Sequence, residues 1–240
     1  MQMKNLFLLL LIFGIMGTSL LINQNVGGVD ISQITNFKTF ESPMILGKTD
    51  YGYVERGGPY GNISSPIKVA YITGVHPLEF DAHDAILEAV ITNDNSLKYC
   101  YYIYRVHVTQ DAADYNKGRI NGQKLAYDYV VPDIKSHKFD LAVDVHSNRG
   151  VYKDKIFVDV PANDKISREY AFEIAEKISW LTFYVPPPEK GPTSGSYVTL
   201  PLINSGIPTF VYETYMYEPY STTLEHAVDF VQNLDKISIR

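Results

Sequence analysis

Runs rich in β-branched and aromatic residues alternate with runs of helical period along most of this chain, and that alternation constrains the fold more than any other feature. Strands are expected over 67–75 (IKVAYITGV), 101–108 (YYIYRVHV), 139–147 (FDLAVDVHS), 155–160 (KIFVDV) and 207–213 (IPTFVYE). Helical patterns fall between and after them, over 77–91, 167–181 and 222–234. Strands that alternate with helices bury both faces of a sheet as an α/β domain, so the expectation is one twisted, mostly parallel mixed sheet flanked by helices. The chain has 240 residues, 45% of them hydrophobic, enough for one well-buried domain and no demand for a second. The Pro- and Gly-rich segment 184–196 (YVPPPEKGPTSGS) reads as a long loop, and such loops tend to border sites.

The N-terminus carries Lys4 followed by an uncharged, mostly apolar stretch over residues 6–22. It reads as export machinery, either a cleaved signal peptide or an uncleaved anchor with Lys4 inside and the body outside. Three parts are expected: 1–24 as signal peptide or anchor, 25–49 as a stalk with little structure beyond one edge element, and 50–240 as the functional domain. A lone Cys100 cannot form an internal disulfide, and its strand-like surroundings suggest a buried thiol. With a formal charge of −6 and no Lys/Arg run, the chain offers no electrostatic footprint for nucleic acid.

The stretch 71–90 (YITGVHPLEFDAHDAILEAV) places His76, Glu79 and His83 where a strand gives way to a helix. Pro77 suits a first helical turn, where its missing N–H would be unpaired anyway. His76 and Glu79 are three residues apart and can converge above the carboxyl end of the strand, where α/β sheets open their ligand crevice. His83 lies too far along to share a tight tetrahedral site easily. Taken alone, the pair also fits a plain helix start, since a first-turn Glu complements the macrodipole. Two other apolar strands, however, end in His146 and Glu213. Carboxylates buried together need a cation or a proton to compensate them.

GVHPLE, the later DVHS and the late FVYE resemble, in order, the signature of the zinc carboxypeptidase-like hydrolases, which include metallocarboxypeptidases and the succinylglutamate desuccinylase/aspartoacylase deacylases. The resemblance covers about residues 65–235. It implies one Zn²⁺ per chain held by His76, Glu79 and His146, with Glu213 as the base in a Glu-assisted attack of zinc-bound water on an amide. The compact spacing from Glu79 to His146 is more like the deacylase branch than the longer peptidases. One stretch departs from the family pattern. Within GRINGQKLAYDY, Arg119, Asn121 and Gly122 match, but Ala126 and Tyr127 stand where an Asn-Arg pair would grip a substrate carboxylate. Arg119 is then a candidate for polarising the scissile carbonyl. Asn121 and Arg149 are candidates for substrate binding, Arg149 as a replacement clamp, and Tyr197 is a possible second donor over the site.

Two His and one carboxylate leave an open position on a bound zinc. Glu213 would pass a proton from the water to the leaving amine, staying ionised beside zinc and Arg119 unless its pocket is dry. Two readings follow. The first is an exported zinc-dependent metallopeptidase or amidohydrolase acting on a peptide or N-acyl amide, in a cell envelope for example. The second is a non-catalytic relative serving as an extracellular binding module, favoured by the altered Asn-Arg stretch and disfavoured by Glu213.

Overall fold

The structure, a computed structural model, describes residues 42–187 and 193–240. The expected leader or anchor at 6–22, most of the expected stalk and the middle of the 184–196 loop lie outside the described residues. Among the described residues, no helix is long and apolar enough to cross a membrane.

Eight strands form one sheet: β1 (Met44–Lys48), β2 (Gly52–Gly61), β3 (Lys68–Thr73), β4 (Cys100–Val108), β5 (Leu141–Asn148), β6 (Phe157–Asp159), β7 (Thr182–Phe183) and β8 (Thr209–Tyr215). Their order is β1-β2-β4-β3-β5-β8-β6-β7. The central four, β4-β3-β5-β8, run parallel, while β2 and β6 flank them antiparallel and β1 pairs antiparallel with β2. Every residue of β5 is buried, as befits a central strand covered on both faces. The sheet begins at β1, ahead of the expected boundary at residue 50, so the edge element expected at the end of the stalk is part of this sheet. β2 escaped the sequence reading because four glycines and Pro59 dilute its pattern.

Helices cover both faces. α1 (Phe80–Asn93), α4 (Lys165–Lys177) and α6 (Tyr220–Leu234) enclose one apolar layer, in which Tyr212 stacks on Phe230 with ring centroids 4.0 Å apart. α2 (Tyr115–Leu125), α3 (Val131–His137) and the short α5 (Thr199–Ile203) enclose the other. The run from α2 to α3 is helical throughout, with a π-helical turn at Ala126–Val130 just ahead of Pro132, which has no N–H to donate. The sequence hid this run behind two glycines, a proline and few apolar residues. The stretch around Arg119 is a helix, begun by Asp114, whose side chain accepts from the backbone N–H groups of Asn116 and Lys117.

Pro77 is a correction. α1 begins at Phe80 with Glu79 as its N-cap, so Pro77 sits in the turn before the helix. The turn closes through a 3.0 Å hydrogen bond from Glu79 N–H to His76 C=O. Gly74, at φ +80, starts it. A side chain at Gly74 would meet the Val106 carbonyl, so only glycine fits both the backbone and the space.

Candidate metal centre

The tight turn after β3 and the ends of β5 and β8 bring the expected residues to the carboxyl edge of the parallel strands. His76, Glu79 and His146 each offer a ligand atom within 4.8 Å of the others, and all three are buried. Glu79 provides no side-chain cap for α1 because its carboxylate faces the histidines: Oε1 lies 3.1 Å from His76 Nδ1 and Oε2 lies 2.9 Å from His146 Nδ1. Arg119 Nη1 donates to Oε1 at 2.8 Å and the Ser147 N–H to Oε2 at 3.0 Å.

Both imidazoles thus present Nδ1 to the centre and turn Nε2 outward, where each meets a partner that the sequence reading did not name. Gln123, one helical turn beyond Arg119, places its side-chain amide 3.1 Å from His76 Nε2 and 2.9 Å from Thr193 Oγ1. Asp144 Oδ1 lies 3.1 Å from His146 Nε2, close enough for an ion pair though off the ring's hydrogen-bonding direction. Ser194 Oγ takes that direction at 3.0 Å and donates in turn to Asp144 Oδ2 at 3.1 Å. Outward partners of this kind fix the ring orientation and tautomer of metal-ligating histidines. Asp144 carried a signal in the sequence: it stands two residues before His146, hence on the same face of the strand. Ser194 and Thr193 carried none beyond their place in the Pro/Gly loop.

Burial holds the His76 ring neutral, its pKa lowered to about 4 although Glu79 pulls the other way. Burial also works against a charged His146, but the Asp144 and Glu79 carboxylates outweigh it and the ring is held well above its ordinary value. Burial would likewise raise Glu79, and the two imidazoles instead bring it well below the usual carboxylate range. The donor set suits a single metal ion: two imidazole nitrogens and one carboxylate leave a coordination position open. That set, with its outward partners, is formed by the protein alone.

Glu213 lies on β8 directly beside His146 on β5, on the same side of the sheet. It is 4% exposed, and its one side-chain hydrogen bond among the described residues is a long one, from Asn148 Nδ2 at 3.4 Å. Burial pushes its carboxyl up to about 8, with His146 and Arg119 pulling down. Burial thus outweighs the pull of Arg119 on this carboxyl.

Of the remaining sequence candidates, Arg119 alone contacts the triad among the described residues. Arg119 binds Glu79 and, through Nη2, Thr193 Oγ1 at 3.1 Å. Its guanidinium also lies 5.0 Å from the centre of the Tyr115 ring, while Arg149 lies 4.7 Å from the same ring. Asn121 donates its amide to the Gln110 carbonyl at 3.1 Å. Tyr197 packs against the second apolar layer with its ring edge-on to Tyr127, one of the two residues standing where the family has Asn-Arg. His83 is buried on α1 and outside the triad. Beside Glu79 a cleft of about 200 Å³ opens, lined by Ser147, Thr214, Tyr215 and Phe80 among others.

No protein-family model and no curated protein sequence matches this chain. Solved structures do. A metallo-carboxypeptidase from Pseudomonas aeruginosa, in complex with (2-guanidinoethylmercapto)succinic acid, superposes with a TM-score of 0.57 at 13% identity, over 86% of this chain and 66% of that one. A protein from Shewanella denitrificans described as a metallopeptidase gives 0.55 at 11% identity, over 85% and 86%. A succinylglutamate desuccinylase/aspartoacylase from Rhodobacter sphaeroides gives 0.50 at 14% identity, over 76% and 57%. The chain thus spans less than two-thirds of the Pseudomonas and Rhodobacter proteins. The fold of this chain is the carboxypeptidase-like fold that its sequence resemblance implied.

Proposed function

We propose that the protein is a zinc-dependent hydrolase that cleaves an amide bond, in a peptide or an N-acyl amino acid, on the outer side of a membrane. The observation that carries this reading is the meeting of His76, Glu79 and His146 within 4.8 Å of one another, with His146 on the strand next to that of a buried Glu213. Zinc, when bound, would polarise the substrate carbonyl and lower the pKa of water at its open position.

The chain's own groups supply the rest. His76, Glu79 and His146 hold the ion. Asp144 and Ser194 orient His146, and Gln123 orients His76. Glu213 holds and moves the proton, since a carboxyl raised to about 8 can both take one and return one near neutral pH. Arg119, anchored on Glu79, brings a guanidinium to the rim beside the scissile group. The cleft beside Glu79 is small, which favours a short acyl or side-chain group.

Zinc content measured beside turnover tests the reading. Glu213→Gln should keep zinc and fold while hydrolysis drops by roughly 10² to 10⁴-fold. His146→Ala should lose metal and activity together, because two protein ligands hold zinc far less firmly than three. Full activity in the Gln variant removes Glu213 from the mechanism. Stoichiometric zinc with no turnover on any amide supports the binding-module reading, which the Ala126-Tyr127 departure favours.

Export through residues 6–22 belongs to the same proposal. An anchor keeps the full-length protein in the membrane fraction through a carbonate wash. A native N-terminus starting between about residues 18 and 27 instead marks a cleaved signal.

A further inference from the structure

The side chain that reaches Glu213 is itself shared among several partners. Asn148 is the last residue of β5 and is 7% exposed. Its Nδ2 donates to the Lys155 carbonyl at 2.8 Å and to the Thr214 carbonyl at 2.9 Å, and lies 3.4 Å from Glu213 Oε2. Its Oδ1 accepts the Gly150 N–H at 2.8 Å, and its backbone carbonyl accepts the Met216 N–H at 2.9 Å. These partners fix which way the amide points, since a flipped amide would set Oδ1 against two carbonyls.

An amide nitrogen carries two hydrogens, and this one meets three acceptors. The short bonds go to the main-chain carbonyls, one in the segment 149–156 and one next to Glu213 on β8. Glu213 is left with the weak share of a forked bond.

The segment 149–156 is fastened around the same place. Arg149 lies 4.7 Å from the Tyr115 ring, Tyr152 meets Phe157 edge-on at 5.1 Å, and Lys155 lies 4.3 Å from the Tyr215 ring. Phe157 is the register partner of Glu213 on β6, and Tyr215 lines the cleft beside Glu79. The segment therefore touches α2, β6 and β8 around the site, and Asn148 bonds it near both ends.

From this sharing of one amide we propose that Asn148 is a positioning residue for Glu213, and that its bond to Lys155 ties the aim of the carboxylate to the place of the segment 149–156. With the segment as it lies here, both amide hydrogens are held by carbonyls and Oε2 is held only loosely. With Lys155 withdrawn, one hydrogen is free to bond Oε2 fully and turn it toward the end of β5. The role at the base rests on the hydrolase reading above.

The test uses the full chain loaded with zinc, with a pool of N-acetylated amino acids as the probe and the released amine as the readout. Zinc content, urea unfolding and trypsin cleavage after the exposed Lys153 and Lys155 are measured beside it. Asn148→Ala removes every side-chain bond. Asn148→Asp keeps the volume and the Gly150 bond but turns the donor into an acceptor facing Glu213. Both variants should keep zinc and be cut about tenfold faster in the segment. Their kcat should fall about tenfold for Ala and further for Asp, while KM changes by less than about threefold. A merely structural Asn148 would lower the unfolding midpoint and leave kcat alone. A kcat within about twofold of the wild type in either folded variant, or an unchanged rate of cutting in both, overturns the proposal. Should one variant fail to fold, the other decides. A wild type that releases no amine refutes the hydrolase reading and the role at the base with it, whereas an active wild type with equally active variants refutes this inference alone.

Discussion

Asp144→Asn is the most informative single substitution in this protein, because it removes a charge and almost nothing else. Asp144 is fully buried, and its carboxylate lies 3.1 Å from His146 Nε2. Two unit charges at that separation interact by about 5 kcal/mol at an effective dielectric of about 20, an upper limit on what the ring feels. Only part of this reaches the opposite ring nitrogen, where the metal binds. Loss of such an outward partner typically costs about 10 to 100-fold in metal affinity, or about 1.4 to 2.7 kcal/mol. Asparagine keeps the volume, and Ser194, which bridges the two residues, can turn to accept from the new amide. The fold should therefore survive. Zinc titration against a competing chelator, with circular dichroism as the check on folding, should show a folded variant whose zinc dissociation constant rises by that factor. Ser194→Ala, which leaves the ion pair in place, should cost less. A dissociation constant within about twofold of the wild type would refute the reasoning, since it would mean that the 3.1 Å contact does nothing for the ring.

Gly122→Ala should destabilise the protein and weaken metal binding, although alanine in a helix normally gains about 1 kcal/mol over glycine: a Cβ at 122 would collide with the Val75 carbonyl, next to His76. Denaturant unfolding and zinc titration check it, and an unchanged or raised midpoint would show that the helix and the turn can part without harm. Asp159, whose carboxyl burial raises to about 7, favours folding while protonated; that contribution is whole below about pH 4 and is lost as the pH rises through 7. Asp159→Asn should therefore flatten the fall in stability between pH 4 and 7 and stabilise the protein at pH 8 by up to about 4 kcal/mol, and urea unfolding with the same pH slope as the wild type would refute it.

How much of this could be read from the sequence follows from how far apart the partners lie in the chain. His76 and Glu79 are three residues apart in one turn. His146 and Glu213 each end an apolar strand, so period and spacing alone put all four at one edge of a parallel sheet. The residues that hold the ligands in place are different. Gln123 meets His76 across 47 residues and Thr193 across 70, from a helix whose two glycines and few apolar positions concealed it. Those glycines are also why the helix fits: at Gly118 and Gly122 a side chain would press on the carbonyls of residues 111, 112 and 75, which is what lets Arg119 and Gln123 come so close to the turn. The feature that hid the helix from a propensity argument is the one that brings it to the site. Asp144 is the opposite case, since strand period alone sets it beside His146, on the same face and two residues earlier. A buried aspartate so placed next to a candidate ligand points to an outward partner without any structure in hand, and Asp144→Asn tests that inference as directly as it tests the site.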